Sequence, residues 1–153
     1  MDNNKTIEAL NTLITINNDR IEGYETAMNE TKQNDLKELF LKLSGTSQHC
    51  KRELTDEVIR LGGTPAEGTL ISGKFFRVWM DVKAALTGDD RKYILDSCEY
   101  GEDAAKDTYE KIIEDEMDNL SQEQQTMILT QNARLQTDHD TVKYMRDNFD
   151  DEK

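Results

Sequence analysis

Helix breakers are scarce in this sequence. It has one proline and eight glycines in 153 residues, so little interrupts long helices. Cys50 and Cys98 are the two cysteines, too few for a disulfide framework. Both fall on or beside apolar stripes and are expected to be reduced, buried thiols of a cytoplasmic protein. Basic side chains are outnumbered, 19 Lys and Arg against 32 Asp and Glu, for a formal net charge of −13. That acidity argues against nucleic acid or an anionic membrane as partners held through a basic surface. No apolar run approaches the length of a bilayer span. Residues 1–10 lack the basic stretch and apolar run of a signal peptide. There is no glycine-rich phosphate loop, no nucleophile elbow and no zinc-type cysteine pair, and no catalytic residue is assigned.

What is present is helical periodicity. Hydrophobic residues make up 35% and charged residues 33% of the chain, a balance suited to amphipathic helices with a narrow apolar stripe and a broad solvated face. Apolar steps of three and four predict a first helix over about 5–30, with the stripe Ile7, Leu10, Ile14, Asn17, Ile21, Tyr24 and Met28. A second helix, about 35–61, buries Leu36, Phe40, Leu43, Cys50, Leu54, Val58 and Leu61. Asn34 is its expected N-cap. Gly62-Gly63 ends it, because glycine takes the left-handed C-cap conformation without steric cost, and Pro65 blocks continuation. A third helix spans about 90–118 on Ile94, Cys98, Glu102, Ala105, Tyr109 and Ile112. A fourth spans about 122–148 on Ile128, Leu135, His139, Val142 and Met145, opened by a capping box from Ser121 to Gln124. Between the second and third lies a long connection with a short helix over about 74–86, whose Phe75, Phe76 and Trp79 are expected to pack onto the bundle. The expectation is therefore a single all-α domain, an antiparallel four-helix bundle with the ferritin-like order of two hairpins joined by one long crossover.

Polar residues interrupt the stripes at one level. Asn17 breaks the first helix and Glu102 the third; Thr46 to His49 breaks the second and Gln136 to His139 the fourth. Counting outward from the two tight turns sets these residues at equal depth. His49 and His139, the only histidines, occupy corresponding places in the two hairpins. Residues three apart share a helix face, so Thr46 with His49, and Gln136 with His139, are expected to point inward together.

This arrangement resembles the ferritin-like di-iron proteins, which carry a Glu on each of the first and third helices and Glu-x-x-His on the second and fourth. The spacing from His49 to Gly62 is similar to the end of the second helix in bacterioferritins. The runs Gly23 to Ala27, Leu61 to Gly63, Trp79 to Gly88 and Cys98 to Ala105 also resemble a group of uncharacterised bacterial ferritin-like proteins, a domain-of-unknown-function family. The resemblance covers nearly the whole chain and implies the fold; it implies no activity. The ligand set departs from the di-iron pattern: Thr46, Gln136 and Asn17 stand where carboxylates belong, and only His49, His139 and Glu102 keep the ligand type.

Three readings of the polar layer follow. Its members satisfy one another by hydrogen bonds as a vestige of a metal centre. Alternatively His49, His139 and Glu102 hold a single metal ion, zinc or iron. In the third reading the helix rotation differs, and Glu22, Glu25 or Glu99 enters the layer. The functional expectation is a non-enzymatic bundle with a degenerate metal centre, acting through its surface. Its expected partners are a second copy of the chain in a dimer and an unidentified protein. The alternative is a metal-binding ferritin-like protein.

Overall fold

The computed structural model describes residues 3–68 and 91–148. The expected crossover helix over 74–86, with Phe75, Phe76 and Trp79, lies outside the described residues. Among those described, the chain is an all-α four-helix bundle with no strand: α1 (Asn3–Glu30), α2 (Asn34–Arg60), α3 (Arg91–Glu116), a 3₁₀ turn (Met117–Asn119) and α4 (Gln122–Asp147).

The helix ends follow local chemistry. Ser121 Oγ accepts from the Gln124 backbone N–H at 3.1 Å, and Gln124 Oε1 accepts from the Ser121 N–H at 2.8 Å, the reciprocal box that starts α4. Gly62 ends α2 with φ 84°, a conformation in which any Cβ is strained. Gly63 then donates to Val58 O at 2.9 Å, and a Cβ there would lie 2.9 Å from Ile7 of α1. The start of α2 differs from expectation. Gln33, not Asn34, is the cap residue, and it makes no side-chain cap bond; Asp35 Oδ1 takes the first-turn N–H of Leu36 at 3.0 Å instead.

Pairs across the bundle fix its topology. Asn17 meets Tyr109 and Thr6 meets Asn119, so α1 and α3 are antiparallel. Gln131 meets Cys50 and Gln124 meets Glu57, so α2 and α4 are antiparallel. The tight turns make α1/α2 and α3/α4 antiparallel hairpins, which leaves α2 and α3 parallel. α2 therefore ends opposite Arg91, which bonds Gln33 and Asp35 beside the α1–α2 turn, and residues 64–68 turn back along α1, bonded by Asn11 and then by Asn18.

Two apolar clusters fill the interior. One, at the Gly62 end, centres on Leu10, Leu13, Ile14, Leu54, Val58 and Ile128. The other, at the Arg91 end, centres on Leu36, Phe40, Leu43, Ile94, Leu95 and Val142. Between them lies a belt of buried polar groups.

Candidate functional site

The belt is centred on Arg20, whose side chain is fully buried. One guanidinium nitrogen donates to Ser47 of α2; the other donates to Glu102 Oε1 of α3 at 2.6 Å and to Asp138 Oδ2 of α4 at 3.3 Å. Each helix thus supplies one member. Tyr24, one turn along α1, donates its hydroxyl to the same Glu102 oxygen at 2.7 Å and lays its ring 5.4 Å from the guanidinium carbon. Phe40 stacks on Tyr24 at 5.9 Å, holding that ring in place.

A second tier adjoins it. Asn17 donates to Tyr109 Oη at 2.8 Å, and Tyr109 donates to Gln131 Oε1 at 2.8 Å. Gln131 in turn donates to the Cys50 carbonyl at 3.4 Å and to Glu53 at 3.2 Å. Again all four helices contribute, so the two tiers fix rotation and height for every helix.

Burial and charge set the protonation states here. Burial alone disfavours the charged guanidinium, but Glu102 beside it, with Tyr24 and Asp138, holds Arg20 above its ordinary pKa. Tyr24 is raised well above the ordinary phenol range by burial and by the Glu102 charge. Burial likewise raises Tyr109 and the Cys98 thiol, and pushes Cys50 up to about 11. The tyrosines stay hydroxyl donors and the thiols stay protonated at neutral pH. Both thiols are buried and unpaired.

The sequence candidates are distributed as follows. Asn17 and Glu102 are fully buried but not at equal depth: Asn17 bonds Tyr109 in the second tier, about two turns along α3 from Glu102 in the first. Thr46 is half-buried and bonds back to Lys42 O of its own helix at 3.2 Å. Gln136 bonds Asp140 of its own helix at 2.8 Å. The expected joint layer of His49, His139 and Glu102 is not formed. His49 is 48% exposed and faces Glu53, 3.6 Å away, while Ser47 and Cys50 take the inward positions of α2. On α4 the step from Leu135 to Val142 runs through Asp138, which turns His139 by about 100° to the flank beside α3. There His139 Nε2 lies 2.7 Å from Asp103 and 3.8 Å from Glu99. Glu22 and Glu25 are exposed, and Glu99 sits at this α3–α4 seam, so none of the three enters the belt.

Arg20, Ser47 and Asp138 are the members that periodicity missed. Steps of three and four along α1 admit both Arg20 and Ile21 between Asn17 and Tyr24, and the aliphatic choice is the ordinary one. Yet a buried carboxylate such as Glu102 needs a cation, and α1 carries only Lys5 and Arg20. That demand was the available signal.

A divalent ion does not fit the belt. The Glu102 oxygen that faces its centre is engaged by Arg20 and Tyr24, and the guanidinium fills the space between the carboxylates. An incoming cation would meet like charge; two unit charges 4 Å apart repel by about 4 kcal/mol at an effective dielectric of about 20.

Fold and belt together define a four-helix bundle closed around an internal ion network. The chain belongs to the family described as Domain of unknown function (DUF2383), whose model matches residues 5–115. The matched stretch takes in Asn17, Arg20, Tyr24, Ser47, Glu102 and Tyr109; Gln131, Asp138 and His139 lie beyond it. No curated protein matches the chain.

Proposed function

We propose that this protein is a non-enzymatic bundle of ferritin-like descent, in which a fixed internal cation, Arg20, stands where ferritin-like proteins hold metal. The observation that carries this reading is the guanidinium bridging Ser47, Glu102 and Asp138 on three other helices. A bound metal ion draws oxygen donors from all four helices together; Arg20 does the same with covalently tethered charge. The parallel course of α2 and α3 supports the ferritin-like assignment, since that topology has one long crossover.

With the interior closed, the protein acts through its outer surface. Leu41 (59% exposed), Ile59 (59%) and Tyr144 (69%) lie on that surface and support self-association as a dimer. No helix among the described residues is long and apolar enough to cross a membrane. The two buried, unpaired thiols support a cytoplasmic location.

The reading is tested by adding ferrous iron under oxygen to the purified chain and following oxidation, with sedimentation on the same sample. Oxidation at the protein-free rate, from a dimer, is the expected result. Catalysed oxidation that disappears in Glu102→Gln would overturn it.

A further inference from the structure

We infer that the seam between α3 and α4 carries a surface site for a divalent transition-metal ion, with zinc its closest chemical fit, held by Glu99, Asp103 and His139. The site is separate from the Arg20 belt. Glu99 and Asp103 are four residues apart on α3 and share one face. Antiparallel α4 brings His139 opposite them, because Asp138 takes the inward position next to it. One ligand atom from each residue lies within 4.8 Å of the other two.

The distances suit coordination. Donors about 2.0–2.2 Å from a tetrahedral zinc are about 3.4 Å from one another. The His139 Nε2 contacts at 2.7 Å to Asp103 and 3.8 Å to Glu99 bracket that separation, so small side-chain rotations close the site. One imidazole and two carboxylates match the charge of a divalent ion and leave the fourth position to water.

The surroundings already orient the ligands. Asp140 lies 3.4 Å from His139 Nδ1 and is itself held by Gln136 at 2.8 Å. A carboxylate on the far ring nitrogen selects the tautomer that offers Nε2 to a metal. Arg146 pairs with Glu99 Oε2, which leaves Oε1 turned toward His139. The side chains of His139 and Glu99 are only 12% and 15% exposed, and that of Asp103 is 52% exposed. His139 and Glu99 are thus held beside the core, and Asp103, already in contact with Nε2, keeps the freedom to adjust.

Calorimetric titration of the tag-free, chelator-stripped chain with Zn²⁺ decides the matter, alongside the visible spectrum with Co²⁺. The expected result is one ion per chain and a Co²⁺ spectrum without thiolate charge transfer. Binding should weaken about tenfold or more in Asp103→Asn, in His139→Gln and, through ring orientation, in Asp140→Asn, and should be unchanged in His49→Gln. Absence of binding by the parent chain, binding unaltered in the Asp103→Asn/His139→Gln double variant, or a thiolate band would each overturn the assignment.

Discussion

Asp138 and His139 are neighbours in the chain, yet they belong to two different kinds of polar site. Asp138 faces inward, is 3% exposed and meets a buried guanidinium. His139 faces the α3–α4 seam, where two of its three carboxylate partners, Asp103 and Asp140, are more than half in water. The interior site has its cation built in and no route by which charge could leave without cost. The seam has an excess of acidic groups, a ring nitrogen turned toward two of them, and access to solvent. One residue of helix rotation separates a structural network from a site open to a ligand.

The contrast is sharpest in stability. Arg20→Met removes the cation and leaves Glu102 and Asp138 buried against one another, so a loss of about 3–5 kcal/mol in urea unfolding is expected. Adding Glu102→Leu and Asp138→Leu to that variant should recover most of the loss, because a buried ion network replaced whole by apolar groups is often neutral. A single variant costing under about 1 kcal/mol would place Arg20 outside the core network.

Alkaline pH probes the same interior. The Cys50 pKa is raised from 9.0 to about 11 in the fold. Below pH 9 both folded and unfolded chains keep this proton and the thiol is neutral to stability. Between pH 9 and 11 the unfolded chain releases it while the folded chain holds it, so stability falls as pH rises, by on the order of 2 kcal/mol from this group. Cys98, Tyr24 and Tyr109 shift in the same direction. Melting temperature should therefore drop across this window, with a smaller drop in Cys50→Ala; a flat profile would contradict the burial of these groups.

Tyr109→Phe breaks the second tier, leaving Asn17 and Gln131 without their shared hydroxyl, and is expected to cost about 1–3 kcal/mol by thermal unfolding. At the seam the effects shrink. Without added metal, His139→Gln should cost on the order of 1 kcal/mol, because His139 is largely buried while its nearest partner, Asp103, is half in water. A larger loss would mean that the seam is structural in its own right.

That polar groups interrupt the core near mid-bundle was legible in the sequence, while their heights and rotation were only half so: Asn17 bonds Tyr109, about two turns along α3 from Glu102, which Arg20 and Tyr24 hold. On α3 the stripe Ile94, Cys98, Glu102, Ala105, Tyr109 and Ile112 is the buried face, because no equally good alternative lies beside it. On α2 and α4 the steps of three and four admit two paths through the polar interval, and the histidines drew the reading to His49 and His139 over Ser47 and Asp138. Arg20 was hidden for the opposite reason. An arginine on a helix is ordinarily solvated, and only the partner it has on a helix far along the chain makes its burial tolerable. The helix ends at Gly62 and Ser121 were readable because their chemistry is local; the belt was not, because it is assembled from four helices at once.

The interior carboxylates have a built-in cation in Arg20, whereas the seam sets Glu99 and Asp103 beside a histidine where an ion can join them. Anomalous scattering from a crystal soaked in zinc tests both halves together. The predicted map has a peak among Glu99, Asp103 and His139 and none beside Glu102. A peak between Glu102 and Asp138, with the Arg20 side chain displaced, would contradict it.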